Sequence, residues 1–180
     1  MVLSKENPYH DESEHLLIRH CSPVLFGSKP AALFIVKTEK SYFCLLDLIN
    51  QIDNETASII LRTTQHGILV FFYKPSILNG VIMEPDIRKL LHSFGYPFFN
   101  SPLSYLGVLK TRILACKEFP HEIGFFLGYP SDDVLGFIEQ KGKNYKYCGL
   151  WKVYGDITKA QNLFQQYEYC RQKTMMLHKT

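Results

Sequence analysis

The sequence has no apolar run approaching the ~20 residues a bilayer-spanning helix needs, and its opening, MVLSKENPYHDESEH, holds neither the apolar centre of a secretory signal nor an Arg-rich presequence. The expected location is therefore the cytoplasm. No GxGxxG or GxxxxGK occurs, which removes the two common phosphate-cradling loops and leaves no cofactor that a motif would name. The five cysteines, Cys21, Cys44, Cys116, Cys148 and Cys170, include no CxxC pair, so neither a metal knuckle nor a redox dithiol is indicated. They read as reduced, mostly buried thiols. His10, His15 and His20 are spaced by five and fall on different faces of any helix containing them, so they do not converge as zinc ligands. No metal is expected. There is little net charge, 20 Lys and Arg against 17 Asp and Glu, and only one tryptophan.

What is present describes an ordinary globular chain: 180 residues, 46% hydrophobic and 21% charged. At this length roughly 70% of the unfolded surface is buried on folding, enough for one core without a disulfide or metal. Two features are uneven. Of the 25 aromatic residues, 14 lie between Phe94 and Tyr154. From Glu139 onward, eight Lys and Arg stand against three acids.

Residues 1–10 read as a loose polar arm and residues 11–180 as one globular domain. Asp11 is positioned to cap a short first helix, whose extent Pro23 limits. Ala31–Val36, AALFIV, suits a strand buried on both faces. In the helix expected from Ser41 to Ile52, Tyr42, Leu45, Leu46, Ile49 and Ile52 form a stripe. Ser58–Thr63 and Ile68–Tyr73 flank Thr-Gln-His-Gly as a hairpin, with Gly67 taking the positive φ. Pro75 ends the second strand; a short helix around Ser76–Leu78 and helices opened by Pro85 and Pro102 follow, that from Pro85 stopped by Gly95. Ile123–Leu127 is either strand or buried turn. A helix from an N-capping Ser131 to Gly142 precedes a strand through Gly149–Tyr154, and Asp156 caps a last helix. If Ile123–Leu127 is a strand, the closing unit reads β, α, β, α with parallel neighbours. The expected class is α/β, with α+β as the alternative: a mixed sheet of about five strands flanked by helices.

Three groups of residues carry potential chemistry. His20-Cys21 and His121-Glu122 supply imidazole, thiol and carboxylate for a nucleophilic or general-base site, should the fold bring them together. Adjacent strand residues point to opposite faces, however, and a helix C-terminus disfavours a thiolate at Cys21. Lys29 before the first strand, with Lys152 and Tyr154 in the last, places cations and phenols where an anionic ligand would be held. Tyr129 and Tyr145 complete the set of ligand-binding candidates, and Tyr147 belongs to the same polar aromatic remainder. The run Lys141–Tyr154 interleaves lysines with Tyr145, Tyr147 and Trp151, a mixture also used by single-stranded nucleic-acid grooves. The modest basic excess argues against nucleic acid. The expected partner is a small molecule or another protein, with no membrane.

His20-Cys21-Ser22-Pro23, Lys29-Pro30-Ala31 and HEIGFFLGYPSDDVLGFIEQKGKNYKYCGLWKVY, His121 to Tyr154, resemble a bacterial family catalogued as domain of unknown function 3793. The resemblance spans nearly all of the chain after the arm. It implies a single cytosolic bacterial domain linked to iron or redox physiology, and it assigns no catalytic residue. On residues alone a non-catalytic binding module is favoured. An enzyme built on His20, Cys21, His121 and Glu122, and weak nucleic-acid binding through 141–154, are the alternatives.

Overall fold

A computed structural model describes residues 8–115 and 118–177. Cys116 and most of the expected arm, residues 1–7, lie outside them. Helix α1 (Pro8–Leu16) begins inside the span read as arm and runs without a break through a π-helical turn (Leu17–Cys21) into α2 (Ser22–Leu25). Pro23 therefore does not stop the helix, because the wider turn absorbs it. An α-helical Pro23 would lack the N–H that Arg19 carbonyl expects. Instead Ser22 Oγ donates to the carbonyl of Ile18 at 2.8 Å, and Arg171 Nε, from the far end of the chain, donates to that of Arg19 at 3.1 Å.

Strand β1 (Ala31–Val36) is followed by α3 (Glu39–Asn50), capped by Thr38 rather than starting at Ser41, and then by the hairpin β2 (Ala57–Thr64) and β3 (Gly67–Tyr73). Gly67 takes φ 130° as expected; a Cβ there would meet Val36 carbonyl at 2.5 Å. The strand order is β1-β3-β2, antiparallel throughout. β3 lies in the middle. Alternation along it sends Phe71 and Tyr73 into one core and Ile68, Val70 and Phe72 into the other. The unbroken apolar runs of β1 and β3 follow from this burial on both faces.

One face carries α1, the π turn, α2 and α3. The other carries α4 (Pro75–Ile82), α5 (Pro85–Ser93), α6 (Pro102–Ala115), α7 (Ile123–Phe126) and α8 (Ser131–Glu139). A small hairpin, β4 (Tyr147–Cys148) with β5 (Lys152–Val153), and a long helix α9 (Ile157–Leu177) complete the order. The architecture mixes helices with about five strands, as expected, but divides the strands into three and two.

Ile123–Phe126 is helical, so the parallel β, α, β, α closing unit does not form. A short apolar run bounded by Gly serves a buried helical turn as well as a strand. Gly128 ends this turn at φ 74°: its N–H bonds Phe125 carbonyl and Tyr129 N–H bonds Gly124 carbonyl. Gly95 ends α5 with the same pair of bonds, to His92 and Leu91. Pro130, not Ser131, occupies the N-cap of α8, and the strand expected over 149–154 shrinks to two residues. Asp156 does cap α9, accepting from Lys159 N–H at 3.0 Å. Among the described residues, no helix is long and apolar enough to cross a membrane.

Candidate functional site

The π turn, the approach to β1, the end of α7, the small hairpin and α9 meet around a cavity of about 260 Å³. Its basic residues are Arg19 and His20 from the π turn, Lys29 from the loop before β1, and Arg171 from α9; among the described residues no carboxylate lines it. Each is placed by local sequence. The bond that compensates for Pro23 fixes Arg171 beside Arg19. Pro30 follows Lys29 and packs under Gly128, where an added Cβ would lie 2.6 Å from the Pro30 ring. That close approach seats Tyr129 so that Lys29 Nζ lies 5.1 Å from its ring centroid; the Tyr167 centroid is 5.6 Å from the same nitrogen.

The electrostatics are those of His20 and Lys29 withdrawn from water beside an exposed Arg19 and a partly buried Arg171. Burial, with added repulsion from Arg19, Arg171 and Lys29, holds the His20 pKa down to about 4, so the imidazole is neutral at pH 7. Its ring stacks on Phe34 at 5.1 Å. Lys29 is lowered to about 8, by burial first and by Arg171 second. Burial pushes the phenols of Tyr129 and Tyr167 upward, so both remain neutral donors. The nearest acid to Arg171 is Glu168, paired with it at 3.3 Å and more than half exposed.

Trp151 forms the opposite wall. It stacks on Tyr129 at 4.6 Å and meets Phe164 edge-on at 4.4 Å. Asp133, 3% exposed, holds this wall: its carboxylate accepts from Trp151 Nε1 at 2.7 Å and from the backbone N–H of Tyr154 and Gly155 at 2.7 and 2.8 Å. A second, mostly apolar cavity of about 280 Å³ adjoins, sharing Leu127, Tyr129 and Trp151 with the first.

Of the residues singled out from sequence, Lys29, Tyr129 and His20 therefore share the cationic cavity. His121 and Lys152 line the apolar one. Lys152 Nζ donates to Gly142 carbonyl at 2.7 Å and lies over the half-exposed ring of Tyr145 at 5.1 Å. The Tyr154 hydroxyl is buried with no hydrogen-bond partner, beside the face of α8 where Gly136 leaves room for its ring. Tyr147, like Tyr145, is exposed.

His20, Cys21, His121 and Glu122 are not gathered at one cavity. Cys21 has no exposed surface and burial pushes its thiol far above the ordinary range. Glu122 turns into the core, where it accepts from Arg112 Nε at 2.7 Å and Tyr96 hydroxyl at 3.1 Å. His121 faces outward against Phe137, with ring centroids 4.9 Å apart. Adjacent positions at the start of α7 point in these two directions, so the carboxylate does not orient the imidazole. At the other end of the molecule His10, Asp11 and Glu14 bring ligand atoms within 4.8 Å of one another, but His10 is already paired with Glu14 across one turn of α1.

Sequence reasoning missed Arg19, Arg171, Tyr167 and the role of Trp151 in the wall. One signal was available: a proline inside a helical segment leaves a carbonyl in need of a donor, and Arg171 is that donor.

Neither a curated protein nor a solved structure matches this chain. The model of the family described as protein of unknown function DUF3793 matches residues 17–180, which include every residue of the cationic cavity and of the apolar one beside it. The chain belongs to that family.

Proposed function

We propose that this protein is a binding module for a small anionic ligand, held in the cavity between the π turn, β1 and α9. The observation that carries the reading is the gathering of Arg19, Lys29 and Arg171, with neutral His20, around a space that no carboxylate among the described residues lines. Lys29 and His20 lose hydration and meet repulsion from the neighbouring guanidinium groups, and the acid that pairs with Arg171, Glu168, is more than half exposed. A bound anion reverses both penalties. Its polar end would take donors from Arg19, Arg171 and Lys29, in the manner usual for carboxylate and phosphate. Its body would lie against Leu33, Leu127 and the Tyr129–Trp151 stack. A space of about 260 Å³ suits a metabolite rather than a peptide.

Differential scanning fluorimetry with sulfate, inorganic phosphate, pyruvate and citrate, at ionic strength matched with chloride, tests the reading. At a hundredfold excess over Kd a native-state ligand adds about 2.7 kcal/mol, a Tm rise on the order of 5–10 °C for a chain of this size. The rise should be lost in Arg171→Gln. Melting indistinguishable from the chloride control with all four anions would overturn the reading.

A further inference from the structure

We propose that Lys29 is a nucleophile, and that the anion this cavity takes is a small 2-oxo acid captured as an imine on Lys29 Nζ. The inference rests on the anion-site reading and adds a covalent step to it. Three features of the cavity bear on that step. First, among the described contacts Lys29 Nζ has no carboxylate and no hydrogen-bond acceptor, only the faces of two tyrosine rings. A lysine serving only as a counter-charge is ordinarily paired with an acid, as Lys74 is with Asp53 and Glu55 in this same chain. Second, burial, with repulsion from Arg171 added, keeps the Lys29 amine partly unprotonated. Arg171 lies on α9 and Arg19 and His20 on the π turn, while Tyr129 and Tyr167 are neutral; Glu168, paired with Arg171 at 3.3 Å, is more than half exposed. At pH 7 an amine titrating at about 8 offers a neutral fraction on the order of a hundred times that of an ordinary lysine. Third, the guanidinium groups of Arg19 and Arg171 line the same cavity and are the donors a carboxylate needs. The acid's carboxylate on Arg19 and Arg171 would leave its adjacent carbonyl carbon within the same small space as Nζ.

The step balances as follows. The Lys29 nitrogen lone pair adds to the carbonyl carbon and the C=O π pair moves to oxygen. His20, neutral and on the same cavity lining, takes a proton from the new ammonium and returns one to that oxygen. With one further proton from solvent the oxygen departs as water while the nitrogen lone pair closes the C=N bond. One amine, one ketone and one proton thus give one iminium and one water, with no oxidant or reductant. The iminium charge would replace the ammonium over the Tyr129 and Tyr167 rings.

Incubating the full chain with pyruvate and sodium cyanoborohydride, then mapping adducts by peptide mass spectrometry, tests the step. The expected result is an N-(1-carboxyethyl) group on Lys29, formed faster than on any other lysine, with a rate that levels near pH 8 and is suppressed by competing sulfate. Lys29→Arg removes the nucleophile and should lose the adduct at position 29. The wild-type adduct map decides the matter even should that variant fold poorly. A pyruvate-induced Tm rise with Lys29 modified no faster than surface lysines would overturn the imine and leave the anion site standing. Neither a Tm rise nor a Lys29 adduct would overturn both.

Discussion

Replacing Asp133 by alanine removes three hydrogen bonds of a buried carboxylate at once, and with them the tie between α8 and the hairpin that carries Trp151. Charge-assisted bonds are worth about 1.5–3 kcal/mol each, but the three donors are partly accessible and regain water when the hairpin lifts. A net loss of about 3–5 kcal/mol is expected, a Tm decrease on the order of 10 °C. Asparagine at the same site should cost less, since its Oδ1 still accepts from the backbone N–H of Tyr154 and Gly155. Its amide nitrogen would meet the Trp151 N–H donor to donor, however. The assay is urea unfolding followed by intrinsic fluorescence. The chain has a single tryptophan, so the emission of Trp151 reports on the hairpin itself. In Asp133→Ala the emission should move to the red at low urea, before the circular dichroism of the helices is lost. Unchanged emission and an unchanged urea midpoint would refute the reasoning, because they would mean that the clasp holds nothing.

Three further outcomes follow from the same geometry. Gly128→Ala places a Cβ at φ 74° against Pro30, and should cost about 2–4 kcal/mol in urea unfolding while weakening sulfate or pyruvate binding through a displaced Tyr129. His20 is neutral in the fold with a pKa of about 4, against 6.5 in the unfolded chain, so the unfolded state takes up its proton first. Its contribution should therefore be lost as pH falls from about 6.5 to about 4, and His20→Gln should flatten the pH dependence of Tm in that window. Iodoacetamide at neutral pH should modify exposed Cys148 and spare Cys21 in the native protein, as mass spectrometry would show; rapid labelling of Cys21 would contradict its burial.

Much of the frame was legible because local signals agreed with burial. AALFIV announced a strand covered on both faces, Gly67 the hairpin, Gly95 the end of α5, and Asp156 the start of α9. The misreadings have physical causes. α7 is one turn long, too short for a helical period to emerge, and its identity is settled by Gly128 closing it and by the packing of Gly124 beneath Val134. Gly95 and Gly128 both close helices through the same pair of backbone bonds. The site was half legible. Lys29 and Tyr129 stood out as a cation and a phenol near buried elements, but their partners Arg19 and Arg171 are 152 positions apart and joined only by the bond that Pro23 makes necessary. Arg171 read as one more charge in a basic tail. Its companions in that tail, Lys146 and Lys152, are tied to backbone carbonyls of Gly155 and Gly142 within the hairpin region.

The central claim is that Arg19, Lys29 and Arg171 share one cavity with a neutral imidazole and await an anion. The most direct measurement is an NMR pH titration of the His20 ring, assigned by its loss in His20→Gln, in chloride and again in sulfate, phosphate and pyruvate at equal ionic strength. The account predicts a pKa near 4 in chloride that rises with at least one of the three anions. An ordinary pKa in chloride, or a value that none of them moves, would contradict it.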